Sequence, residues 1–121
     1  MNALFATHIL PILLSLFFVV GSIANGFPSA ATRADYVAWG YPGWFHFVTA
    51  ACEITTAILL FFPRTRLWGV LLGLAVMGSA ALTLLLHSEF AHMLIPLTIM
   101  ALLMFAGAAA WPARARNGRA D

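Results

Sequence analysis

Residues 44–87 read WFHFVTAACEITTAILLFFPRTRLWGVLLGLAVMGSAALTLLLH, two long apolar runs separated only by Pro63-Arg64-Thr65-Arg66. Each run approaches the roughly 20 residues that a helix needs to cross about 30 Å of hydrocarbon. A four-residue break leaves the chain no room to do anything but turn back, so the two helices are antiparallel neighbours. Working outward, two more runs of the same kind flank this pair. The four spans are expected at about His8–Asn25, Trp44–Phe62, Leu67–Leu86 and Met93–Trp111, with Pro63 closing the second and Pro112 the fourth. Gly26-Phe27-Pro28-Ser29 ends the first, and the stretch from there to Gly43 is the longest connection. His87 to His92 (HSEFAH) is a short link. The expected fold is an all-α membrane protein, one domain over 1–121, built as an up-down-up-down four-helix transmembrane bundle.

Composition leads to the same class. Hydrophobic residues make up 63% of the 121 and charged residues 8%, against about 45–50% and about 25% in soluble domains. Four acidic and six basic side chains cannot clothe a water-facing surface, so the solvent is lipid. Cys52 is the sole cysteine, which excludes an internal disulfide and a CxxC redox pair. All the positive charge comes from arginine, in short clusters at the ends of apolar runs, and no stripe of the kind that binds nucleic acid exists. With four spans, Arg64, Arg66, Arg114, Arg116 and Arg119 share one side and Arg33 lies alone on the other, so both termini are expected in the cytoplasm. Trp39, Trp44, Trp68 and Trp111 fall near the expected helix ends, as an aromatic belt would. Ser29-Ala30-Ala31 resembles a signal-peptide cleavage site, but MNALFATH lacks the basic residues of such a leader, and the first run is expected to stay as a span.

Small and polar residues recur at helical spacing and mark the faces turned from lipid. They are His8, Pro11, Ser15, Ser22 and Asn25 in the first run, and His46, Thr49, Ala50, Glu53, Thr56 and Ala57 in the second. The third carries Gly69-x-x-x-Gly73, then Ala80, Thr83 and His87, and the fourth Ala106 to Ala110. Most of these need no role beyond letting helices pack closely.

Glu53 is different. It stands midway along the second run, about 13 Å from either end at 1.5 Å per residue. A charged side chain at that depth costs about 2.5–3.5 kcal/mol on insertion scales and faces the interior. Thr49 and Thr56 on its own helix and Ser15 opposite are the expected donors, and His46, seven residues back, stands over it. Two readings are open: an acid that handles a proton or holds a ligand in a cavity, and a hydrogen-bonded carboxyl that fixes packing. Candidate site residues are Glu53, His46, Thr49, His87 and Asn25. His46, His87, His92 and Glu89 gather at the outer edge and are of the right chemistry for a divalent metal, but solvated interface side chains account for them, and no metal is expected.

The segment from Tyr36 to His87 resembles the DoxX-like family of small bacterial four-helix membrane proteins. The matching features are Gly40-Tyr41-Pro42, Glu53, the Pro63-Arg64-Thr65-Arg66 hairpin, and Met77-Gly78-Ser79-Ala80 leading to His87. Ala50 stands where the family often has glycine. The resemblance implies a bacterial inner (cytoplasmic) membrane location. It also links the chain to redox-related membrane complexes, including a thiosulfate:quinone oxidoreductase subunit, and to chaperone-like roles. The leading expectation is an accessory protein that holds an apolar small molecule, a quinone or a lipid, or a partner helix, around Glu53. The rivals are an enzyme or oxidoreductase subunit using Glu53 and His46 for proton transfer, and an assembly factor that binds a membrane protein partner or a second copy of itself. No resident cofactor is expected, a quinone being the one candidate.

Overall fold

The computed structural model describes the backbone of residues 2–120 and side chains over 2–111. A π-helical turn, Phe5–Ile9, leads into α1 (Leu10–Gly26); α2 (Ala30–Ala38), α3 (Phe45–Phe61), α4 (Arg66–Leu86) and α5 (Leu94–Ala120) follow, with no strand among the described residues. Phe5–Gly26, Arg66–Leu86 and Leu94–Trp111 are long and apolar enough to cross a membrane. The second expected span is the short one: α3 has 17 residues, about 25 Å at 1.5 Å per residue. One boundary differs from the reading above. Pro112 does not stop the last helix, whose backbone continues to Ala120; a proline loses its N–H bond and crowds the carbonyl four residues back, yet helices in a membrane setting tolerate it. The arginines at 114, 116 and 119 lie outside the described side chains.

α1 packs along α3, α3 on α4 and α4 on α5, while α5 returns to α1 and the π-turn, so the four long helices close a ring. Leu10, Leu14 and Phe18 of α1 meet Ala57 and Leu60 of α3, Val70 and Met77 of α4, and Leu103 and Ala106 of α5 in one apolar core. Outside it, Leu13, Leu16, Val20, Phe47, Ile58, Leu71, Leu82, Ile95 and Phe105 are exposed. Apolar surface of that extent has no place in water, and the chain is a membrane protein.

The PRTR hairpin explains how α3 can end in such a setting, where each unsatisfied backbone group is costly. Pro63 has no N–H for the Leu59 carbonyl, and Thr65 Oγ1 donates to that oxygen instead at 2.9 Å. Arg66 donates through Nε to Leu60 O at 2.9 Å and through Nη2 to Phe61 O at 3.2 Å, and Thr65 N–H reaches Phe62 O at 3.1 Å. Arg66 Nη1 donates to Thr7 O at 3.0 Å, the carbonyl four residues before Pro11, which that proline leaves without a helical donor. Arg66 is therefore no loop charge. It is 6% exposed and satisfies carbonyls at the C-terminus of α3, a favourable place for a cation, together with one carbonyl of the π-turn.

Gly69 lets α4 press directly on α3: a Cβ there would lie 2.7 Å from Leu60 N. This end of the molecule is closed by backbone-to-backbone contact. The opposite end is not.

Candidate functional site

At the opposite end the longest connection, expected as a loop, contains α2. Ser29 caps it, its Oγ accepting from Thr32 N–H at 3.2 Å, so Ser29-Ala30-Ala31 is the start of a helix. An Ser followed by residues that tolerate helix, one of the preferred N-cap types, was the available signal. Beneath α2, between α3 and α4, lies a cavity of about 390 Å³. Tyr36, Trp39, Tyr41 and Phe45 form its aromatic wall, Leu72, Val76, Met77 and Ala80 its aliphatic wall, and Glu53 with Asn25 its polar end.

Glu53 is 5% exposed and accepts from Asn25 Nδ2 at 2.9 Å through Oε2. Asn25 gathers the rest of the polar groups. Its Nδ2 also donates to Gly21 O at 3.0 Å, and its Oδ1 accepts from the Tyr36 hydroxyl at 2.7 Å. The same hydroxyl stands 3.2 Å from Thr49 Oγ1. His46 Nδ1 is 2.8 Å from the Asn25 backbone carbonyl. Burial pushes the Tyr36 phenol up from its ordinary pKa; the hydrogen bond to Thr49 opposes this, and the nearby Glu53 and Tyr41 add to it. The phenol thus keeps its proton and acts as a donor. Gly21 makes the arrangement sterically feasible, since a Cβ there would lie 2.7 Å from Glu53 Oε1.

Four of the five candidate residues therefore converge. Glu53, Asn25 and Thr49 line the cavity, and buried His46 stands behind Asn25. His87 does not join them: it is exposed after α4, its Nδ1 2.8 Å from Thr83 O. The expected donors to Glu53 are also corrected. Thr56 Oγ1 bonds Cys52 O of its own helix at 2.7 Å, and Ser15 Oγ crosses to Ala57 O at 2.7 Å. Hydroxyls on helices commonly find backbone carbonyls in this way. His8 is exposed and off the buried stripe. The outer set is not assembled either: His46 is buried, His92 is 76% exposed and 3.6 Å from Glu89, and among the described residues no three His, Cys, Asp or Glu side chains are placed to hold a metal ion.

Tyr36, Tyr41 and Trp39 are the site residues that the sequence reading missed. Trp39 was assigned to the aromatic belt, but unlike exposed Trp44, Trp68 and Trp111 it is half-buried and walls the cavity. Its indole Nε1 is buried with no hydrogen-bond partner among the described residues. Tyr41 and Phe45 stack with centroids 4.3 Å apart, and Tyr36 meets Tyr41 edge-on at 5.9 Å and Trp39 at 5.5 Å.

A family model described as the DoxX-like family matches residues 9–109. That span covers α1 through most of α5 and includes the whole site. No curated protein and no solved structure matches the chain.

Proposed function

Because the chain belongs to the DoxX-like family, we propose that it is an accessory protein of the bacterial inner membrane that holds an apolar small molecule in the cavity around Glu53. The observation that carries this reading is the cavity itself. Its volume of about 390 Å³ falls in the range of ligand sites, about 300–1,000 Å³, and a hydrogen-bonded group of Glu53, Asn25, Tyr36 and Thr49 meets largely apolar walls, as in such sites. A quinone or a lipid is the class of molecule to seek first. In this reading the four long helices all span the bilayer, up-down-up-down, with both termini in the cytoplasm. Setting Arg66 aside as a structural residue leaves Arg64, Arg114, Arg116 and Arg119 facing Arg33, so the charge bias keeps its direction. Short α3 is accommodated by local thinning of the bilayer or by its flanking aromatic residues.

Native mass spectrometry of the chain, purified in mild detergent from its own membrane, tests the proposal. A reproducible adduct of lipid or quinone mass is expected on the wild type and should be lost in Glu53→Gln. An adduct carried equally by both proteins, or a wild-type chain that carries none, refutes it.

A further inference from the structure

The polar groups of the cavity are mostly spent on one another. Tyr36 donates to Asn25, and Asn25 donates to Glu53. The Tyr41 hydroxyl and Thr83 Oγ1 lie 2.6 Å apart, and Ser79 Oγ donates to Ala75 O on its own helix at 2.8 Å. Two groups are exceptions: the Trp39 indole N–H, buried with no partner among the described residues, and Glu53. One oxygen, Oε2, takes the Asn25 bond; among the described residues no hydrogen bond reaches Oε1. Moreover, no arginine, lysine or histidine lines the cavity. The nearest imidazole, His46, is occupied with the Asn25 backbone carbonyl. The carboxyl therefore faces an apolar space with no cation to balance it.

Around that space stand four aromatic rings, Tyr36, Trp39, Tyr41 and Phe45, packed into one cluster by edge-on and stacked contacts. The face of an aromatic ring is electronegative and attracts a cation. An ionised carboxylate in a low-dielectric site does the same, more strongly, and a cation bound beside it favours that ionised form. An anionic ligand would be repelled by the carboxylate, and a neutral one would leave the acid protonated and without a charge partner. A molecule with one positive charge and an apolar body satisfies both walls and the acid together.

We propose that the cavity around Glu53 takes a lipophilic cation, an apolar molecule bearing an ammonium group, with the charge between Glu53 and the ring cluster of Tyr36, Trp39, Tyr41 and Phe45. This rests on the reading of the cavity as a small-molecule site and adds the charge of its occupant. Binding is linked to protons, since a proton on Glu53 removes the negative partner. The titratable groups that face Glu53 are Tyr36 from α2, Tyr41 before α3, and its neighbour Cys52; α1 offers only uncharged Asn25, and α4 offers none.

The test uses two probes of one shape, benzyltrimethylammonium and neopentylbenzene, in which carbon replaces the charged nitrogen. Each is titrated calorimetrically into the full chain in an uncharged detergent. The wild type should prefer the ammonium by at least about tenfold, because only the ammonium gains an opposite charge and the ring faces. Ammonium binding should weaken as the pH is lowered, since protonation of Glu53 removes the negative partner. Glu53→Gln should remove the preference. Equal binding of the two probes by the wild type overturns the proposal, and needs no variant if Glu53→Gln fails to fold. So does ammonium binding that Glu53→Gln leaves unchanged. If neither probe binds while a Glu53-dependent native adduct is present, the charge assignment alone falls; if the adduct is missing too, the cavity reading falls with it.

Discussion

The two ends of this small protein use the same materials for opposite purposes. At the hairpin end, Arg66 is buried with its guanidinium spent on three carbonyls, and Gly69 brings α4 against the α3 backbone. Among the described residues no buried side-chain polar atom there lacks a partner. At the α2 end, Glu53 is equally buried but has one partner, and Gly21 clears space for a carboxyl and not for a helix. There the helices enclose a cavity of about 390 Å³. A buried polar group whose hydrogen-bonding capacity is filled is spent on the fold; in the proposed reading, one with capacity to spare beside a cavity serves a ligand.

One substitution made at both ends sharpens the contrast, and its effect at the hairpin end is the largest expected. In Gly69→Ala the new methyl would meet Leu60 N at 2.7 Å and Leu59 C at 3.0 Å. Backbone cannot swing aside, so overpacking should cost about 2 kcal/mol and lower the thermal midpoint in detergent by several degrees. Gly21→Ala meets only the end of the Glu53 side chain, which can move into the cavity. Its stability should stay within about 1 kcal/mol of wild type, helped by the better helix propensity of alanine, while ligand retention falls. Thermal unfolding and native mass spectrometry on the two variants check this, and equal loss of stability at both positions would erase the distinction between the ends.

A smaller effect is expected for Tyr36→Phe. It removes the donor to Asn25 Oδ1, a neutral hydrogen bond worth about 1 kcal/mol. The fold should survive, and ligand retention should weaken by about fivefold. Retention indistinguishable from wild type would show that α2 does not help to hold the polar end of the site.

Much of this architecture was legible in the sequence because lipid imposes simple rules. The apolar runs 8–25, 44–62 and 67–86 correspond to helices ending at Gly26, Phe61 and Leu86, and Glu53 stood out because an acid in the middle of an apolar run demands an explanation. The partner of that acid was less legible. Thr49, Thr56 and Ser15 were as close in periodicity as Asn25, and only the packed structure shows that Thr56 and Ser15 are consumed by carbonyls. Helix α2 was hidden for a related reason. Its sequence AATRADYVA has no apolar run to mark it, and its one strong signal, the Ser29 cap, also resembles a cleavage site. The roles of Arg66 and Thr65 became visible only when Pro63 and Pro11 were set beside the carbonyls they leave unpaired.

The most direct test of the central claim is to fill the cavity without touching its polar end. Ala80 lines the space from α4, and Ala80→Phe would occupy much of it while leaving Glu53 and Asn25 bonded. In native mass spectrometry, the account predicts a folded, monodisperse chain that has lost the wild-type adduct. A folded Ala80→Phe chain that still carries the adduct would contradict it, since the molecule would then be bound somewhere other than around Glu53.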